Sequence, residues 1–177
     1  VVVAADDPSM HSSQNEQDSR FYGKFAMMPI FEPSSQQEAY EMTRAAFELS
    51  EAVKLPVLMR VTTRMAHSRA VVNLTDEPRK QNEINRPEDV RTWILLPAFA
   101  KRRYVQLLEQ QNDLMKASVE SKFNCYTKGT NPERGVICTG IAYNYYMENA
   151  ADSKERSVLK VSQYPLPEAL IMKMVED

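Results

Sequence analysis

The chain has 177 residues, 43% of them hydrophobic and 26% charged, with a formal net charge of −2. That balance is ordinary for a globular protein and argues against nucleic acid as the main partner. No apolar run approaches the roughly eighteen residues that span a membrane, and no signal-peptide pattern is read, so a cytoplasmic protein without a membrane partner is expected.

In chain order, Val1 to Ala5 is apolar and β-branched without polar alternation, which predicts a strand buried on both faces of a parallel sheet. Asp6 to Arg20 is almost wholly polar. In open α/β sheets the ligand crevice lies beyond the carboxyl ends of the strands, so a long polar loop placed there is a site or a solvated connection. Phe21 to Phe31 reads as a short helix followed by a short strand from Met28. Gln36 to Val53 carries Ala39, Met42, Ala46, Leu49 and Val53 at helical steps, with Ser35 and Glu38 spaced as a capping box. Val57 to Val61 is the next buried strand and closes a βαβ unit with Val1–Ala5 or Met28–Phe31.

Asn73 to Arg91 has little to bury and predicts a linker or domain boundary, with Trp93-Ile94-Leu95-Leu96-Pro97 anchoring its end. Ala98 to Phe123 is a second helical pattern. Its Lys101-Arg102-Arg103 run reads as a solvated face or a contact with an acidic patch elsewhere. Val136 to Cys138 predicts a strand, Thr139 an N-cap and Ile141 to Ala150 a helix. Gly135 and Gly140 have P-loop spacing, but Ile141-Ala142 stand where Lys and Ser or Thr would be needed, so that reading fails. Ser157 to Ser162 is a further strand, and Pro167 opens a helix from Glu168. The chain opens within a strand pattern and closes on a helical one, which predicts a piece of a longer protein.

Cys125 and Cys138 stand thirteen positions apart without a Cys-x-x-Cys motif and read as reduced or buried thiols. Two cysteines cannot supply four-cysteine iron–sulfur ligation. His11 and His67 both sit in polar stretches after predicted strands. A hydrolase triad built on them has no Gly-x-Ser-x-Gly elbow to support it. Thr63 and Arg64 end their strand on the same side of the sheet.

The Asp6-Asp7-Pro8 and Ser12-Ser13-Gln14-Asn15-Glu16-Gln17-Asp18-Ser19-Arg20 wording closely resembles the alpha subunits of indolepyruvate:ferredoxin oxidoreductases, which are thiamine-diphosphate enzymes. The resemblance continues in Glu32-Pro33-Ser34, Pro56-Val57-Leu58-Met59-Arg60, Thr62-Thr63-Arg64, His67-Ser68, Thr139-Gly140-Ile141-Ala142-Tyr143 and Tyr164-Pro165-Leu166-Pro167. It covers most of the chain and is most specific in the first seventy or so residues. It implies an α/β fold of parallel sheets flanked by helices. Residues 1–72 would be the later part of a pyrimidine-type thiamine-diphosphate domain, 73–97 a linker, and 98–177 a helix and the early part of a transketolase-C-terminal-like domain.

By the same resemblance, Arg20 contacts the carboxylate of a 2-oxo acid, for which a planar guanidinium fork is suited. On the residues alone, a tie from Arg20 to Asp6, Asp7 or Asp18 is the favoured reading. His11, Thr63, Arg64 and His67 would shape the substrate crevice, and Asp6 and Asp7 would lie at the cofactor. No catalytic residue or metal ligand is assigned within the chain. The glutamate that activates the cofactor and the Gly-Asp-Gly…Asn segment that holds its diphosphate through Mg2+ are absent, so neither tight thiamine diphosphate binding nor turnover is expected of the isolated chain. The parent enzyme would carry iron–sulfur clusters and a beta subunit. It would oxidise arylpyruvates to the acyl-CoA, using coenzyme A and reducing ferredoxin. The alternatives are an oxidoreductase of the same superfamily for another 2-oxo acid such as pyruvate, or a non-catalytic α/β interaction module.

Overall fold

The protein is described by a computed structural model over residues 1–75, 78, 81–84, 86–151 and 154–177. Strand β3 (Leu58–Thr62) is the hub of the first sheet. Strand β1 (Val2–Asp6) pairs parallel on one side of it, with Val2 opposite Leu58 and Asp6 opposite Thr62. Strand β2 (Ile30–Phe31) pairs parallel on the other, with Ile30 opposite the same Leu58. A parallel pair needs a long crossover, and helix α2 (Gln36–Val53) provides it between β2 and β3. The predicted span of α2 matches the observed one at both ends. Ser35 caps it by accepting from the Glu38 N–H at 3.2 Å. The capping box is only half made, because the Glu38 carboxylate accepts from Ser34 N at 2.6 Å and from Lys160 Nζ at 2.5 Å.

Short helices follow the other carboxyl ends. Helix α1 (Ser19–Phe25) comes after the polar loop and α3 (Thr63–His67) comes directly after β3. α1 lies so close to β2 that a Cβ on Gly23 would stand 2.5 Å from Ile30 Cδ1. Of the predicted crossing over 73–91, residues 76, 77, 79, 80 and 85 lie outside the described residues, and the described remainder holds no strand or α-helix. The segment after it does not anchor as expected: Trp93 is 71% exposed and Leu95 80% exposed. An apolar run shows what could be buried, not whether a surface is there to receive it.

Helix α4 (Pro97–Val119) buries Leu114 and Ser118 and leaves Lys101, Arg102 and Arg103 exposed. A second sheet follows, in the order β4 (Cys125–Thr127), β6 (Arg156–Val161), β5 (Asn131–Thr139). β5 and β6 are parallel and joined through helix α5 (Ala142–Asn149), while β4 is antiparallel at the edge. Strand β7 (Gln163–Tyr164) then crosses to the first sheet and pairs antiparallel with β2, before helix α6 (Glu168–Glu176). The architecture is α/β as expected, but both sheets are mixed rather than purely parallel.

The placement of β7 is enforced by Asn124, whose buried Oδ1 accepts from Ser162 N at 2.7 Å and Gln163 N at 2.8 Å. Its Nδ2 donates to Gln163 O at 2.9 Å and to Ser118 O at 2.8 Å. A side-chain amide that serves four backbone groups replaces the ladder bonds a bent segment cannot make.

The two faces of the sheet follow the period-two alternation of its strands. Phe31 and Met59 pack with Met42, Ala46, Val57 and Phe123 beneath α2. Ile30 and Leu58 pack with Leu159, Val161 and Tyr164 on the other side. Residues 98–177 therefore share a core and a sheet with residues 1–72. β1 departs from expectation: it stands at the sheet edge with Val2 and Val3 exposed, not buried on both faces. An unbroken apolar run identifies a strand, but its neighbours are set elsewhere in the chain. No helix among the described residues is long and apolar enough to cross a membrane.

Candidate functional site

The carboxyl ends of β1, β2 and β3 converge on Arg60, which is 4% exposed. Its Nε donates to Asp6 Oδ2 at 2.5 Å, its Nη1 donates to Glu32 Oε1, and Asp18 Oδ1 lies 3.6 Å away. Asp6 also accepts from Ser19 N at 2.8 Å and Ser19 Oγ at 2.5 Å, so both its oxygens are engaged. Glu32 accepts from the Tyr164 hydroxyl at 2.8 Å through its second oxygen. Burial and the neighbouring Glu32 push the Tyr164 phenol above its ordinary range, which keeps it a proton donor. Gly140, at φ +47°, abuts this acid: a Cβ there would meet Glu32 Cγ at 2.6 Å.

Arg20 is the next member of the network. Asp18, the N-cap of α1, takes its Nε at 2.8 Å and Nη2 at 2.6 Å. Nη1 reaches Thr139 Oγ1 at 3.0 Å and stands 3.6 Å from Glu32 Oε2. The hydrogen bond with Arg20 holds the Asp18 carboxyl below its usual range and raises the guanidinium. Of the two roles open to Arg20, the structure displays the tie to Asp18. Thr139, expected as an N-cap, is instead Arg20's acceptor, and α5 begins after Ile141 without a side-chain cap.

Asp7 builds the loop. Its Oδ1 accepts from Thr63 Oγ1 at 2.6 Å, and Oδ2 accepts from Ser12 N at 2.7 Å, Ser13 N at 2.8 Å and Ser13 Oγ at 2.9 Å. These bonds, Thr63's foremost, hold its carboxyl well below the usual carboxylate range. Asp6 and Asp7, expected beside a cofactor, thus direct their oxygens into the protein and fix the shape of the rim.

Beside this packed network lies an open cleft of about 360 Å³ lined by His11, Thr63, Arg64, His67, Ser68 and Tyr145. The loop supplies His11, α3 and the residue after it supply Thr63 to Ser68, and α5 supplies Tyr145. Arg64 Nε donates to the Tyr145 hydroxyl at 2.7 Å, with the guanidinium 5.8 Å from the ring centre. That hydrogen bond raises Arg64 above its ordinary value. Four of the five residues expected to shape a substrate crevice are therefore brought together; Arg20 is held in the adjoining network.

Sequence reasoning missed Arg60, Glu32, Tyr164 and Tyr145 as site residues. Arg60 had a signal, since a charge inside an apolar strand must find partners. Tyr145 had none: nothing local marks one tyrosine of α5 as the partner of an arginine 81 positions earlier.

Cys125 is an exposed free thiol and Cys138 a buried one, pushed up by its burial. Among the described residues no group of three or more His, Cys, Asp or Glu is arranged to hold a metal. The described residues thus offer no carboxylate group that fits the magnesium-bound diphosphate of thiamine diphosphate, although the cleft lies where the carboxyl ends of α/β strands receive ligands.

A family described as pyruvate flavodoxin/ferredoxin oxidoreductase, thiamine diphosphate-binding, matches residues 4–158. The chain is also similar to proteins named indolepyruvate oxidoreductase subunit IorA. That of Methanothermobacter thermautotrophicus is 41% identical over 175 residues, covering 97% of this chain. That of Archaeoglobus fulgidus is 40% identical over 178 residues, and that of Thermococcus kodakarensis 37% over 184, each covering 99% of the chain. The chain spans 28% of the length of each of these curated relatives.

Proposed function

Because the chain belongs to the pyruvate flavodoxin/ferredoxin oxidoreductase, thiamine diphosphate-binding family, we propose that it is part of a 2-oxoacid:ferredoxin oxidoreductase of the indolepyruvate type. In this reading the whole enzyme is cytoplasmic, pairs with a beta subunit and carries Mg2+ and iron–sulfur clusters beside thiamine diphosphate. It decarboxylates an arylpyruvate oxidatively, delivers the acyl group to coenzyme A and reduces ferredoxin. Residues 1–72 then belong to a pyrimidine-type domain, 73–97 to a linker and 98–177 to the opening of a second domain. The groups that anchor and activate the cofactor lie outside this chain, so the chain alone is inactive.

The share of this chain is one wall of the oxo-acid site. The observation that carries the reading is the gathering of His11, Thr63, Arg64 and His67 into one cleft at the carboxyl edge of the sheet. Thr63 is fixed by Asp7 and orients the polar rim. Arg64 and the two imidazoles present cationic and donor groups toward an anionic ligand. Arg20 serves the same carboxylate by exchanging Asp18 for it, since Asp18 now occupies the edge formed by Nε and Nη2.

In the full-length enzyme, Arg20→Lys should raise KM for indolepyruvate by roughly tenfold, the loss of about 1.4 kcal/mol of forked carboxylate binding. Unchanged KM and kcat would remove Arg20 from the substrate. A full-length enzyme that turns over no 2-oxo acid would remove the function.

A further inference from the structure

The cleft and the network hold one guanidinium each that was expected near a substrate, and the one in the cleft keeps more of its donors unused. An arginine carries five N–H groups. On Arg20, Asp18 takes the edge formed by Nε and Nη2, Thr139 takes a donor from Nη1, and Glu32 stands 3.6 Å from that same nitrogen. On Arg64, Tyr145 takes Nε alone, and no carboxylate of the described residues lies within ion-pair distance. Glu148 acts on it only from farther away. The edge formed by Nη1 and Nη2 is the one that accepts a carboxylate end-on.

The surroundings of Arg64 favour an anion. The cleft is lined by two histidines, three hydroxyl side chains and the arginine itself, with no acid among them. Its volume of about 360 Å³ falls in the range of small-molecule sites, about 300–1,000 Å³. Tyr145 adds an aromatic face beside the guanidinium. α5 is held over the first sheet independently of Tyr145, since Asn144 Nδ2 donates to Ser34 O at 2.6 Å. Tyr145 is therefore free to act on Arg64 rather than to fasten the helix.

We propose that Arg64 is the group that receives the ligand's carboxylate in this cleft, and that Tyr145 is the positioning residue that turns its free edge toward the ligand. The ligand class is an aryl acid whose ring lies along Tyr145 and the imidazoles. The inference rests on the functional reading above and deepens it by naming which cation is ready before substrate arrives. Tyr145 comes from the second half of the chain, so that half reaches the cleft through its phenol.

The test uses the full-length oxidoreductase and a pair of probes, phenylpropionate and phenylpropionamide, as competitive inhibitors of 2-oxo acid oxidation and in direct binding. The wild type should prefer the carboxylate by about tenfold, as one forked ion pair implies. Arg64→Gln should remove most of the preference, leaving what Arg20 supplies, and Arg64→Lys should keep more of it. Tyr145→Phe, which retains the ring, should cut the preference by roughly threefold, in line with one lost hydrogen bond, and Tyr145→Leu should cut it further. KM for the oxo acid should rise in the same order while kcat stays within about twofold, because ground-state and transition-state binding fall together. Unchanged preference in Arg64→Gln and Tyr145→Phe would overturn the inference. A wild type that oxidises an arylpyruvate yet binds the acid no better than the amide would overturn it alone. A wild type that oxidises no 2-oxo acid would overturn the functional reading and this inference with it.

Discussion

Arg60 and Arg64 stand four positions apart on one strand-to-helix segment and have opposite surroundings. Arg60 is buried among three carboxylates, Asp6, Glu32 and Asp18. Arg64 is exposed at a cleft and has a phenol, that of Tyr145, as its hydrogen-bond partner. The first holds β1, β2 and β3 together at their carboxyl ends, and the second leaves donors for something else. A charge at a sheet's ligand edge is thus either scaffold or site, and what separates the two is how many of its donors the protein itself has already engaged. Removing one partner of a buried ion pair strands the others, whereas removing an exposed cation strands nothing.

That contrast can be broken most sharply at Arg60. Arg60→Met should destabilise the fold by about 3–5 kcal/mol, since Asp6 and Glu32 remain buried without their cation. A thermal unfolding midpoint within a degree or two of wild type would show that the network is not holding the sheet. Next comes Gly140→Ala. The positive φ and the approach of Glu32 should together cost roughly 1–3 kcal/mol, read as a lowered unfolding midpoint.

Arg64→Gln and His67→Ala, on the open side, should each change stability by less than about 0.5 kcal/mol. If either variant lowered the unfolding midpoint as far as Arg60→Met, the two regions would not differ in kind. The smallest effect expected is a pH effect at the rim between them. The carboxyl of Asp7 is depressed in the folded protein, so its contribution is fully present above the unfolded value of about 3.9 and is lost as pH falls toward the folded one. Thermal midpoints followed downward from about pH 5 should fall less steeply in Asp7→Asn than in wild type, and parallel curves would refute the assignment.

Much of the framework was legible along the chain. Ala39, Met42, Ala46, Leu49 and Val53 spell out α2, and Ser35 marks its start, because helical spacing and capping are local. The polar loop after β1 announced a rim, and His11, Thr63, Arg64 and His67 did come together on it. Arg20 was the residue most open to two readings, since a guanidinium fits a substrate carboxylate and Asp18 equally well. Thr139 as its acceptor, 119 positions away, could not be read locally. The exposed Trp93 and Leu95 show the same limit from the other side.

By itself the sequence determined the long helices, the main apolar strands and which family the chain joins, but not α3, β4 or β7, because periodicity, caps and motif wording act over a few neighbouring residues. Only the tertiary structure decided that Gln163–Tyr164 closes the first sheet, that β1 lies at its edge, and that Tyr145 meets Arg64. Each of these depends on groups tens of residues apart satisfying one another's hydrogen bonds once the apolar faces have packed. Those pairings leave no mark on the local pattern of either partner.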